Sequence, residues 1–67
     1  MTNVAMLKDI IEKSGLKKTF IADRLGLSYN GYLKKENGTN DFTAKEISLM
    51  KDLLRLSNKQ VSEIFLS

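Results

Sequence analysis

The chain has 67 residues and a mass of 7.6 kDa, with eleven basic against eight acidic side chains, a net charge of +3 and a pI near 9.3. A single domain over residues 1–67 is expected, close to the size below which a core needs disulfides, metal or dimerisation to hold. With no Cys and no His, the usual zinc ligands, thiol nucleophiles and imidazole bases are excluded. No long apolar run is present, so no membrane span and no signal peptide are expected, and a reduced cytoplasm is the expected location.

There is no proline and no strand-like alternation, and turn signals divide the chain into five short helical segments. The first, roughly Asn3 to Ser14, sets Val4, Leu7, Ile10 and Ile11 on one side. Thr2 or Asn3 is its expected N-cap and Gly15 its C-cap, and Asp9 and Lys13 pair on its wet face. The second, about Lys18 to Leu25, is expected to bury Ile21, Ala22 and Leu25 with Phe20 nearby, and stops at Gly26. Leu27 then returns to the core. Ser28 is an N-cap for the third segment, Tyr29 to about Asn37, which Asn37-Gly38 ends with strong turn chemistry. After a loop from Thr39 to Phe42, Thr43-Ala44-Lys45-Glu46 forms a capping box with Phe42 and Ile47 at the staple positions. The fourth helix runs from there to about Leu56 with Ile47, Met50, Leu53 and Leu54 as its stripe. The same device at Ser57-Asn58-Lys59-Gln60, between Leu56 and Val61, starts a last helix carrying Val61, Ile64, Phe65 and Leu66.

The charge is unevenly spread. Between Gly15 and Asn40 the bases Lys17, Lys18, Arg24, Lys34 and Lys35 face only Asp23 and Glu36, an excess of three, and the rest of the chain balances six against six. The whole net charge therefore falls inside the second and third segments. That suits a stretch that meets phosphates, and equally an ordinary solvated lysine face.

Ala22 in the middle of the second segment, Leu25-Gly26-Leu27-Ser28 at the turn and Asn37-Gly38 after the third form a pattern. In it the chain resembles the helix-turn-helix DNA-binding domains of the Cro and lambda repressor superfamily. The downstream layout, Phe42-Thr43, a fourth helix and a short fifth, is also similar to small phage-type members. The resemblance implies an all-α, compact five-helix bundle with a helix-turn-helix, the lambda repressor-like fold.

In such a motif the third helix lies in the major groove with its N-terminal residues toward base edges. The resemblance thus assigns Tyr29, Asn30, Leu33 and Lys34 to base reading. Asn30 suits adenine, Lys34 guanine and Leu33 a thymine methyl. Lys17, Lys18 and Thr19 at the entry of the second segment fall at phosphate-holding positions, with Ser28, Lys35, Asn37, Thr39 and Asn40 as further backbone candidates.

Several positions carry two readings. Tyr32 reads first as core and second as a phosphate hydrogen bond; for Tyr29 the order is reversed. Lys35 reads as solvated or phosphate-facing. Gly31 is unfavourable within a helix by roughly 1 kcal/mol against Ala, and reads as close approach to DNA or as a tolerated first-turn residue. Because Lys35 and Glu36 are both polar, docking of the third helix is expected to rest on Tyr32, Leu33 or Leu27. An inward Leu33 would rotate the reading face. Lys17 stands where a Ser, Thr or Asn cap is usual, a loss of roughly 1 kcal/mol unless phosphate compensates.

An enzyme is not expected, since no imidazole, thiol or glycine-rich phosphate loop is present, and neither cofactor, metal nor small-molecule ligand is expected. The resemblance implies a sequence-specific regulator of double-stranded DNA, a Cro-type phage or prophage repressor in a bacterial host cell, acting as a homodimer on a palindromic operator. Control would come through its own concentration or a partner protein. The alternative is a modulator or antirepressor that uses the same fold to bind another regulator. Ile64, Phe65 and Leu66 suit such a contact or a dimer interface, and Phe65 also suits simple packing in the core.

Overall fold

A helix leaves its first amide hydrogens without partners, and four of the five helices here start on a side chain that accepts one. The computed structural model describes residues 1–66; Ser67, the end of the expected domain, lies outside them. The helices are α1 (Val4–Ser14), α2 (Lys18–Arg24), α3 (Tyr29–Glu36), α4 (Ala44–Leu54) and α5 (Asn58–Phe65), with no strand among the described residues. Asn3 caps α1 by accepting from the Met6 amide, and Ser28 caps α3 by accepting from the Gly31 amide. Both expected capping boxes form, with Thr43 and Glu46 at α4 and Ser57 and Gln60 at α5 each exchanging side-chain and backbone hydrogen bonds. At α2 the cap position is Lys17, which makes no such bond.

Helix α4 ends two residues before the expected Leu56, because Arg55 takes the left-handed conformation at φ 54° and turns the chain back, bringing the Leu56 amide onto the Lys51 carbonyl. Lys51 also donates from its ammonium to the Asn58 side chain, closing the α4–α5 corner.

The core is built from one or two positions of every helix. Leu7 and Ile11 of α1, Ile21 and Ala22 of α2, Tyr32 of α3, Met50 of α4, and Ile64 and Phe65 of α5 are buried, joined by Leu25, Phe42 and Leu56 from the connections. The Phe42 ring meets Tyr32 at 6.3 Å and Phe65 at 5.3 Å between centroids, both edge-on, so a line of three aromatics ties α3 to α5 across the loop. The Asn3 amide donates to the Ile64 carbonyl at 2.6 Å, which fastens the start of α1 to α5. Tyr32 is thus a core residue, the first of its two readings. Ile64 and Phe65 are core as well, so of the apolar C-terminal run only Leu66 is largely exposed, at 71%. Phe20, expected beside the core, is instead 45% exposed. No helix of the described chain is long and apolar enough to cross a membrane.

Candidate functional site

Helices α2 and α3 are joined by a turn whose bonds are all short-range. The amides of Leu25 and Leu27 donate to the Ala22 carbonyl, and that of Gly26 to the Asp23 carbonyl, while Gly26 sits at φ 73°, a conformation cheap only for glycine. Leu27 packs half-buried against the core, as its position in the turn predicts. At the far end of α3, Gly38 at φ 83° reverses the chain so that the amides of Thr39 and Asn40 both donate to the Lys34 carbonyl. The loop is thereby folded onto the end of α3. A Cβ at Gly38 would meet Val4 of α1 at 3.2 Å, so this loop lies close against the body of the protein.

Side chains four residues apart share a helix face. On α3 the inward face is Tyr32 and Glu36, both at 0% exposure. Asn30 and Lys34 share the opposite, exposed face, with Asn37 exposed beside them and Leu33 half-buried at its edge. Leu33 therefore contributes to docking without owning it, and the exposed face keeps Asn30 and Lys34 at its centre. Tyr29, 45% exposed, stands at the start of the helix near Ser28. Of the two readings of Gly31, the structure adds a third: its amide serves the Ser28 cap, and a Cβ there would lie 3.0 Å from the serine oxygen.

Docking of α3 was expected to rest on Tyr32, Leu33 or Leu27 because Lys35 and Glu36 are polar; Tyr32 does dock it, and Glu36 is buried beside it. Glu36 is the second inward residue of the helix, a place its charge does not suggest. Its i,i+4 relation to Tyr32 was the available signal. Its carboxylate lies 2.9 Å from the Lys18 ammonium, an ion pair that lacks hydrogen-bond angles, and neither of its oxygens has a hydrogen-bond partner. The buried Tyr32 hydroxyl faces the same carboxylate, near enough for a hydrogen bond to it to help hold the phenol proton, although neither group meets strict hydrogen-bond geometry. Burial first, and then the adjacent Glu36 carboxylate, push the Tyr32 phenol well above the ordinary tyrosine range.

Two of the lysines assigned to DNA are therefore engaged within the chain. Lys18 pairs with Glu36, and Lys35, read as solvated or phosphate-facing, is turned against Glu46 of the α4 capping box with only 16% of its side chain exposed. Burial pushes the Glu46 carboxyl up, but the Lys35 ammonium and the Thr43 amide and hydroxyl outweigh it and hold the group below the ordinary glutamate value. Lys17, Arg24 and Lys34 form no ion pair among the described residues and are exposed. Thr19, Ser28, Thr39 and Asn40 are exposed too.

No family model matches the chain, and no curated protein or solved structure matches it either. The site residues make a polar exposed face on α3 with an amide and an ammonium four residues apart, and unpaired cations on α2 and at its entry. Among the described residues no cluster of His, Cys, Asp or Glu suits a metal ion.

Proposed function

We propose that this chain is a sequence-specific double-stranded DNA-binding regulator in which α2, the Leu25–Ser28 turn and α3 act as a helix-turn-helix. The observation that carries the reading is the exposed α3 face: Asn30 and Lys34, the two side chains best suited to hydrogen-bond base edges, lie together opposite the buried Tyr32 and Glu36. The unpaired Lys17 and the nearby Thr19 supply backbone contacts at the start of α2, with Ser28, Asn37, Thr39 and Asn40 at the two ends of α3. The Cro and lambda repressor resemblance of the turn residues points the same way. On that reading the protein binds as a homodimer to a two-fold symmetric operator with half-sites roughly 34 Å apart, and it represses transcription.

Selection of bound duplexes from a random pool, with affinity then measured across salt, tests it. A symmetric enriched site is expected. Asn30→Ala or Lys34→Ala changes base preference at one position, a discrimination of about 1–3 kcal/mol. Lys17→Ser weakens binding to every sequence and lowers the salt slope by about 0.9, without loss of folding because serine is the better cap. Absence of affinity for duplex DNA even at low salt overturns the reading. It would favour the protein-binding alternative, which one observation supports. Met1 and Leu66, the two most exposed apolar side chains, sit at chain ends brought together by the Asn3–Ile64 hydrogen bond.

A further inference from the structure

Helices α2 and α3 meet at one end through the Leu25–Ser28 turn, which a handful of local hydrogen bonds define. Their other ends are the first residue of α2, Lys18, and the last residue of α3, Glu36, and these two side chains meet at 2.9 Å. Beyond the core they share through Ile21, Ala22, Leu25 and Tyr32, the two helices are tied at both ends, by a covalent turn at one side and an ion pair at the other. The two points differ in what they tolerate. The turn needs only Gly26 and the inserted Leu27, whereas the ion pair has a carboxylate wholly inside the protein with no hydrogen bond to either oxygen. A buried carboxylate with no amide donor depends on its counter-ion more than one held by amides does, and removing that counter-ion leaves it facing only the Tyr32 hydroxyl. Lys18 can serve as that counter-ion because its stem reaches inward while 41% of its side chain stays in solvent.

We propose that Lys18 acts in DNA recognition through Glu36 rather than through a phosphate: the ion pair sets the angle at which α3 presents Asn30 and Lys34, and Glu36 is a positioning residue for that face. This rests on the DNA reading above. Among the described residues Lys18 is the cation paired with Glu36, so its ammonium is drawn in toward the carboxylate where that of Lys17 stands free in solvent. The consequence is a separation of roles along the entry of α2. Lys17, unpaired and exposed, carries affinity, and Lys18 carries discrimination.

The test uses three forms of the full chain: wild type, Lys18→Met, and the double variant Lys18→Met with Glu36→Met. The probe is a labelled duplex enriched by the wild type from a random pool, together with its single-position variants, and binding is measured across salt. Discrimination per read position is expected to be on the order of tenfold for the wild type. In Lys18→Met it shrinks several-fold, while the slope of log affinity against log salt is unchanged. The double variant, which has neither the ammonium nor the stranded carboxylate, regains the wild-type discrimination. It also keeps the test alive if Lys18→Met fails to fold, because it contains no unpaired buried charge. A slope lowered by about 0.9 in both variants, with discrimination unchanged, makes Lys18 a phosphate contact and overturns the proposal.

If the wild type enriches no duplex, the DNA reading falls and the role in recognition falls with it. The mount itself is judged separately by amide hydrogen exchange along α3 in the same three forms. Faster exchange in Lys18→Met, reversed in the double variant, is expected, and equal exchange in all three removes the ion pair as a mount.

Discussion

The two lysine–glutamate pairs that flank the end of α3 have the same chemistry and opposite construction. Lys35–Glu46 sits at the rim, and its carboxylate also accepts the Thr43 amide as half of a capping box, so it has two donors. Lys18–Glu36 has its carboxylate sealed in the core, with an ion pair but no hydrogen bond. Satisfied networks stabilise locally and fail gradually. An under-satisfied buried charge adds little net stability when intact and fails abruptly when its partner is removed.

The largest expected effect breaks the buried pair from the solvent side. Lys18→Met lowers the unfolding free energy by about 2 kcal/mol, less than the full loss for a buried pair because Lys18 is itself half in water. Glu36→Met, which removes the sealed charge and lets Lys18 return to solvent, changes stability by less than about 1 kcal/mol. Urea titrations with unchanged m values check both. Equal losses from the two substitutions would mean that the pair behaves like the rim pair and the comparison is empty.

That asymmetry also marks where the sequence is legible. Thr43-Ala44-Lys45-Glu46 and Ser57-Asn58-Lys59-Gln60 announce helix starts because the partners lie three residues apart, and both boxes form. The five helices follow from such local signals and from the spacing of Leu7, Ile11, Ile21, Met50 and Ile64. Glu36 was not legible in that way. Its partner is eighteen positions earlier, and a glutamate at the end of a lysine-rich helix reads as a surface residue until the Tyr32 register is followed one turn further. The Lys35–Glu46 contact was hidden for the same reason, since nothing local says that Glu46 has a lone pair to spare. On α3 Asn30 and Lys34 were assigned through the family resemblance, and which way they face is decided by Tyr32 and Glu36 filling the inward positions.

An effect of middle size tests the rim pair. Glu46→Ala removes the reciprocal half of the capping box and the Lys35 contact together, a loss of about 1.5 kcal/mol at neutral pH. Glu46→Gln retains an acceptor for the Thr43 amide and loses only the charge, about 0.5 kcal/mol. The pH dependence carries a sign. Since the Glu46 carboxyl is held below its ordinary value in the folded chain, its contribution is complete above that ordinary value and fades as pH falls through the lower folded one. Urea midpoints followed from neutral to acid pH should therefore fall less steeply for Glu46→Gln than for the wild type.

The smallest effect at neutral pH belongs to the hydroxyl beside the sealed carboxylate. Tyr32→Phe removes a buried oxygen whose contact with Glu36 falls short of strict hydrogen-bond geometry while keeping the ring edge-on to Phe42, so the change in stability is expected within about 0.5 kcal/mol, in either direction. Alkaline pH separates the two forms. Burial and the Glu36 charge keep the Tyr32 proton on in the folded chain, whereas the unfolded phenol titrates at the ordinary tyrosine value. Stability from this group is thus whole below that value and is lost as pH rises beyond it, because only the unfolded chain can release the proton. Tyr32→Phe should abolish that part of the alkaline loss. Lys18→Met, which leaves the Glu36 charge beside the phenol without its cation, should not. A shared alkaline profile for wild type and Tyr32→Phe would mean that the hydroxyl is reached by water and that the pocket holding Glu36 is wetter than its burial implies.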